Sequence, residues 1–309
     1  MIDRELLEQV RRIQVLSKRL VTDVLAGGYG SVFRGMGIEF EEVREYAEGD
    51  DPRAVDWNVT ARVGRPFVKK FVEERELTVV FLLDLSASMR GGASARSLRQ
   101  VAALLCGCLA FSALRNNDKV GLVAFSSKVE LYAPAKKGAG HALRIVRDCL
   151  GHEPEGRGTD YEAALDFVAR VLRRRAIVFL VSDFQAPLPR RALRACSRRH
   201  DLIAARILPA DLAPPPAGLV RWRDPESGRS GLVDWSDART RAAFAERLRA
   251  RERELSEELS RARVDLLDVD LRGLDPAAAP ALQREQHNRR LADGLVRFFR
   301  MRERRGARA

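Results

Sequence analysis

Residues 77–88, LTVVFLLDLSAS, decide the fold. LTVVFLL is an unbroken apolar run rich in Val, Leu and Phe, of strand length and without the alternation of a strand that faces water on one side. Such a strand is covered on both faces, as happens when helices lie above and below a mainly parallel sheet. The sequence that follows repeats the pattern. Ser94 to Arg115 reads as a helix apolar almost all round and stopped at Asn116-Asn117-Asp118, followed by KVGLVAFS and VELYAPA as strands and GHALRIVRDCL as a short helix. DYEAALDFVARVLRRR then predicts a helix, AIVFLVSD a strand, PRRALRACSRR a helix and DLIAARIL a strand. This alternation implies an α/β fold: parallel strands, right-handed crossovers and helices on both faces. DLAPPPAG breaks the periodicity, and GLVRWRDPESGRSGLVDW predicts a hairpin insertion near 218–235. Ser236 to Arg263 reads as a charged helix, VDLLDVDL as a last strand, and Pro276 to Arg302 as a terminal helix with Leu291, Leu295 and Phe299 on one stripe.

Upstream, Leu6, Val10, Ile13, Leu20 and Val24 recur near helical spacing, so Asp3 to Leu25 predicts an amphipathic helix stopped by Gly27-Gly28. From Gly28 to Arg75 the chain is punctuated by Gly, and EFEEVREY, DPRAVDW and PFVKKFVEE read as short strand-like pieces of a small β-rich module. The expected organisation is an N-terminal helix (1–26), this module (27–76), the α/β domain (77–275) and a C-terminal helix with a basic tail (276–309).

The chain has 309 residues, is 46% hydrophobic and 32% charged, and carries a formal charge of +12, which excludes disordered and fibrous classes and raises the question of a polyanion partner. The charge comes from 48 Arg against 7 Lys, and with the abundant alanine this skew reads as GC-rich coding rather than phosphate binding. Glu39 to Asp56 moreover holds eight acids against two arginines, which a generic polyanion binder does not need, so nucleic acid is not the expected partner. Cys106, Cys108, Cys149 and Cys196 have no paired C-x-x-C spacing and suit a reducing compartment. The longest apolar run, Val101 to Leu114, is shorter than a membrane span, and the N-terminus lacks the order of a signal peptide. The expectation is a cytoplasmic protein without a transmembrane segment, peripheral membrane contact being left open.

Asp84-Leu85-Ser86-Ala87-Ser88 lies directly after the central strand and before a helix, where ligands of open parallel sheets bind. One carboxylate and two hydroxyls in one turn suit a hard divalent cation, which takes about six oxygen ligands. Thr159, before a helix, and Asp183, ending a strand, stand at the right topological places to add to the set. Together Asp84, Ser86, Ser88, Thr159 and Asp183 resemble the metal-ion-dependent adhesion site (MIDAS) of von Willebrand factor A domains, whose sheet is Rossmann-like. The resemblance implies magnesium, with manganese or calcium as alternatives. Each residue also has a structural reading: Ser86 or Ser88 as a helix cap, Thr159 with Glu162 as a capping box, Asp183 as a turn former. No G-x-x-x-x-G-K-[ST], G-x-S-x-G or H-E-x-x-H occurs, and His141, His152, His200 and His287 are scattered, so no catalytic residue is assigned and no enzyme is expected.

The stretch from Gly35 to Met89 contains G-x-E-F, R-x-Y, GDD-x-R-x-x-DW, TAR and EERE in order, and resembles the signature of the bacterial family called domain of unknown function 58 (DUF58). The later DPESG and the region from Leu291 to Phe299 resemble it too. Many members carry N-terminal membrane helices, and this chain resembles the shorter soluble ones. The resemblance implies a von Willebrand factor A-like adaptor or co-chaperone acting with a MoxR-type AAA+ ATPase on a client protein that supplies an acidic residue to the metal. Asp50, Asp51, Arg53, Asp56 and Trp57 are candidates for a partner-docking surface or for a tight turn. Two alternatives stay open: a metal-dependent hydrolase, and a basic nucleic-acid or membrane-surface binder suggested by the charge and by LVRFFRMRERRGAR.

Overall fold

A computed structural model describes residues 4–24, 29, 32–33, 38–47, 50–73, 76–92, 95–212, 217–275 and 278–306. The first described segments are α1 (Arg4–Val24), β1 (Ile38–Glu45), α2 (Trp57–Val63) and β2 (Phe67–Glu73), with β1 and β2 paired antiparallel. Next come β3 (Thr78–Asp84), α3 (Leu98–Arg115), β4 (Lys119–Phe125), β5 (Val129–Lys136), α4 (Ala139–Gly151), α5 (Tyr161–Val171), β6 (Ile177–Ser182), α6 (Arg190–Arg199) and β7 (Asp201–Leu208). The chain finishes with β8 (Leu219–Arg223), β9 (Ser230–Asp234), α7 (Ala238–Ala262), β10 (Asp265–Asp270) and α8 (Pro280–Gly306).

Six strands form the central sheet in the order β10-β7-β6-β3-β4-β5, and all neighbours are parallel except β5 against β4. The mainly parallel α/β sheet expected from the sequence is therefore present. The reversal of β5 has a simple cause: only residues 126–128 separate it from β4, too few for a parallel crossover. Counted from β3, the lateral order is that of a doubly wound sheet: the chain builds outward from β3 on one side, then crosses to the other side with β6. The switch point, where a crevice opens at the carboxyl ends of the strands, lies between β3 and β6.

Alternation along β3 sends Val79, Phe81 and Leu83 to one core and Val80 and Leu82 to the other, and all five are buried. The first core packs α3, α8 and Tyr29 and Phe33 against the sheet; the second packs α5, α6 and α7. Helix α3 is capped by Ser97 and Gln100 in a reciprocal capping box, and ends at Asn117 in the left-handed conformation (φ 64°). Its apolar circumference is explained by what covers it. A Cβ at Gly107 would lie 2.9 Å from Ser17 Oγ and 3.0 Å from Ile13 Cγ2, so α1 presses on the face of α3 turned away from the sheet. Among the described residues one helix, α3, is long and apolar enough to cross a membrane, and it is a buried core helix here.

The C-terminal basic run is docked. Leu291, Leu295, Phe298 and Phe299 are buried, and Arg302 bonds Asp201 (2.8 Å) and Asp265 (3.2 Å) at the β7 and β10 side of the sheet. The strand-like reading of DPRAVDW is corrected. Asp51 accepts from Arg53 N (2.9 Å) to start a 3₁₀ turn at Pro52–Ala54, and Asp56 accepts from Asn58 N (3.0 Å) and Val59 N (3.3 Å) to cap α2. Short acids that bond the backbone two or three residues on favour turns and caps over a ladder. The Gly27-Gly28 stop, Gly35-Met36-Gly37, Glu48-Gly49, Glu74-Arg75 and the start at Pro276 lie outside the described residues.

Gly294 of α8 gives a test of the packing. A Cβ there would stand 2.5 Å from the carbonyl oxygen of Asp268, so Gly294→Ala must push α8 off β10, at a cost of about 1–3 kcal/mol. Gly140→Ala in α4 meets nothing within 4 Å and should gain helix propensity, up to about 1 kcal/mol. Urea unfolding of the two variants should move the midpoint in opposite directions.

Candidate metal centre

Asp84 ends β3 at the switch point with its side chain fully buried. Its Oδ1 accepts from Ser86 N (2.8 Å), and its Oδ2 accepts from the Ser182 hydroxyl (2.7 Å) at the end of neighbouring β6. Since the single Ser182 proton goes to Asp84, the Tyr161 hydroxyl, 2.7 Å away, must donate to Ser182, whose Oγ also accepts from Phe184 N (3.1 Å). The acid is thus held by a buried chain running from α5 through β6 to β3.

The turn after Asp84 is pinned across the crevice: Ala87 N donates to Arg157 O (2.9 Å), and the hydroxyls of Ser86 and Ser88 lie 3.1 Å apart. Ser86 makes no side-chain cap to the 3₁₀ turn at Ala87–Arg90, and α3 is capped by Ser97, so the capping reading of the two serines is not what the structure shows. Nor is Thr159 the cap of α5. That role belongs to Asp160, which accepts from Ala163 N (2.9 Å). The Thr159 hydroxyl instead donates to Glu226 Oε1 (2.9 Å), from the turn between β8 and β9.

Asp183 follows β6 and is 4% exposed. Its Oδ1 accepts from Gln185 N (3.1 Å), while Phe184 between them takes a left-handed conformation (φ 55°), uncommon for a bulky residue. Phe184 is buried and stacks on Tyr161 at 5.9 Å, which holds the strained backbone in place. The five residues expected from the sequence therefore stand at one end of the sheet, on both sides of the switch point.

Burial, and next the charge of Asp183, push the Asp84 carboxyl up to about 7. Burial also raises Asp183, an effect partly offset by the Ser88 hydroxyl. Besides burial, the groups acting most strongly on the two acids are hydroxyls, backbone amides and, for Asp84, the charge of Asp183; no basic side chain is among them. Two buried carboxylates facing each other without a cation are an electrostatic deficit. Two carboxylates and three hydroxyls are a hard oxygen donor set, suited to magnesium, manganese or calcium and unsuited to a soft metal. Asp84, Ser86, Ser88, Thr159 and Asp183 are the residues that could hold such an ion. Among the described residues no group of three or more His, Cys, Asp or Glu is positioned to hold a metal, so hydroxyls and water would have to complete the shell.

Comparison with known proteins gives the chain's family. The family model described as "Protein of unknown function DUF58" matches residues 42–254. The chain belongs to the DUF58 family. It is 31% identical over 230 residues to an uncharacterized protein of Mycobacterium tuberculosis, covering 73% of both chains. Among solved structures, this DUF58 protein is similar to the conserved hypothetical protein BatB from Bacteroides thetaiotaomicron (15% identity, 71% of this chain and 98% of that one, TM-score 0.42). It is also similar to proximal thread matrix protein 1 from the mussel byssus, solved with a zinc-occupied MIDAS motif (18% identity, 43% of this chain and 38% of that one, TM-score 0.34).

In the DUF58 signature itself, Asp50 is paired with Arg44 by two bonds (2.9 and 2.7 Å), and Asp51 and Asp56 shape the turn and the helix cap described above. Arg53 is exposed, and Trp57 is 73% exposed. Sequence reading missed Ser182, Tyr161 and Glu226. Ser182 stood next to Asp183, where the end of a buried strand already marked the crevice. Glu226 lay in DPESG, quoted for family resemblance and not for chemistry.

Ser182→Ala removes the donor to Asp84 and the acceptor of Tyr161 together, and should cost about 1–3 kcal/mol in the metal-free protein. Tyr161→Phe leaves the Ser182 to Asp84 bond intact and should cost about 0.5–1.5 kcal/mol. Denaturant unfolding compares the two.

Proposed function

We propose that this protein is a non-enzymatic, metal-dependent protein-binding adaptor or co-chaperone, with magnesium as the resident ion. The observation that carries the reading is the pair of buried acids, Asp84 and Asp183, on either side of the switch point with three hydroxyls around them. When bound, the cation would supply a positive centre for an oxygen ligand from outside. The chain's own groups do the rest: the Tyr161 to Ser182 to Asp84 relay fixes one acid, the Phe184 backbone fixes the other, and Ser86, Ser88 and Thr159 offer neutral oxygens that leave the ion electrophilic toward an incoming carboxylate.

The surroundings favour an acidic partner. A cavity of about 460 Å³ beside the centre is lined by Ala87 and Pro154 and by Arg90, Arg157 and Arg223, so a segment carrying several carboxylates meets complementary charge there. A client protein with such a segment, presented together with a MoxR-type AAA+ ATPase in the cytoplasm, is the partner that the family resemblance suggests.

Metal-stripped protein titrated with Mg²⁺ or Mn²⁺ should gain about 2.7 kcal/mol at a hundredfold excess over the dissociation constant, raising Tm by several degrees. Asp84→Asn, which keeps the shape and removes the charge, should show no such rise and should fail to retain the ATPase in co-purification. An equal rise in both proteins would remove the centre from the explanation.

A further inference from the structure

Strands β8 and β9 form a two-stranded sheet of their own, apart from the central one. Much of their surface is open: Leu219, Trp222 and Leu232 are 73%, 47% and 66% exposed. The turn between them is closed by its own bonds. Asp224 N donates to Arg229 O (2.7 Å), Gly228 N to Asp224 O (2.9 Å) and Glu226 N to Asp224 Oδ1 (3.0 Å), while Gly228 takes the left-handed conformation (φ 71°) that the turn requires. Asp224 is therefore spent on shaping the turn, and the side chain that the turn delivers is Glu226. Among the described residues, Glu226 is the one residue of Leu219–Asp234 hydrogen-bonded to the α/β body, through the Thr159 hydroxyl.

This is an unfavourable place for a carboxylate in the absence of a cation. Glu226 is half-buried against Thr159, on the side of the centre that holds Asp84 and Asp183. An arm that carries a third acid to two buried acids is repelled by them, and becomes attracted once a divalent ion lies between. It occupies the side from which an external acid would approach: Pro225 and Arg223, its near neighbours in the turn, line the arginine-rich cavity.

Building on the metal-centre reading, we propose that Glu226 is an internal stand-in for the partner's acidic residue, and that the β8–β9 hairpin is a self-inhibiting arm which the cation latches and an acidic partner displaces. The hairpin is then a competitor whose release sets when the centre can bind.

The test uses the whole chain, stripped of metal and titrated with Mn²⁺ followed by water-proton relaxation, in the parent, Glu226→Gln and Glu226→Ala, with acetate as the carboxylate probe. In the parent, acetate should change neither the Mn²⁺ affinity nor the relaxation, and Mn²⁺ should slow tryptic cleavage after Arg223 and Arg229. In Glu226→Ala, Mn²⁺ affinity should fall several-fold, the bound ion should relax more water, acetate should reverse both effects, and the tryptic protection should vanish. Glu226→Gln, which can still accept from Thr159, should behave as Glu226→Ala does, because the charge and not the hydrogen bond is what latches. If both Glu226 variants match the parent in affinity, relaxation and insensitivity to acetate, the latch is overturned and the metal centre stands. If none of the three proteins binds Mn²⁺, the metal centre falls and the latch with it.

Discussion

The structure depends on β3 being satisfied on all four sides. It pairs with β4 on one edge and β6 on the other, and both faces lie under helices, so water has no access from Val79 to Asp84. Past Thr78 at its start the strand carries only apolar side chains, and the next polar one, Asp84, comes where the ladder ends. Because the winding direction reverses at this strand, its end is also where loops from both halves of the sheet diverge. The same constraint therefore creates the core and opens the crevice above it. It also explains the acid's two donors, since a carboxylate at the end of a dry strand is met by the turn that follows it, through Ser86 N, and by the neighbouring strand, through Ser182.

How much of this was legible in the sequence follows from the range of each interaction. LTVVFLL, KVGLVAFS and AIVFLVSD were legible as strands because burial on two faces removes the polar alternation, a local signal. The five candidate ligands were legible because strand ends and helix starts are also local, and three of the five share one turn. The antiparallel β5 was not anticipated by the rule of alternating strands and helices, although the three residues between it and β4 forbid anything else. The bond from Glu226 to Thr159 links residues 67 apart through a hairpin that pairs only with itself, and no periodicity records where such an arm points. Thr159 shows the opposite failure: a local capping pattern was present, but Asp160, one residue on, took the cap.

Part of the arginine content is structural. Several arginines tie together the β7 and β10 side of the sheet and the helices on it: Arg206 of β7 to Asp268 of β10 (2.6 Å), Arg272 to Asp270 and to Glu252 of α7 (2.8 and 2.7 Å), and Arg302 of α8 to Asp201 and Asp265. Most of these pairs are partly exposed, so each adds little stability by itself. Their value lies in orientation, because the planar guanidinium fork fixes the angle at which α8 crosses β7 and β10. Each of these arginines is matched by an acid, so they seat the strands and the last helix without adding to the net charge.

The two cores differ in which parts of the chain they need. The one behind α5, α6 and α7 draws its buried residues from Val80 to Val264, a continuous interior stretch. The other reaches from Val21 to Phe299, and its aromatic cluster sets Tyr29 and Phe33 within 6.2 and 6.0 Å of Phe299. On a ribosome, where the chain emerges from its N-terminus, the first core has all its parts while the second still waits for α8. One face of the central sheet can close during translation, and the other only when the last turns of α8 leave the exit tunnel; until then α1 and α4 are the early-made covers for the apolar surface of α3.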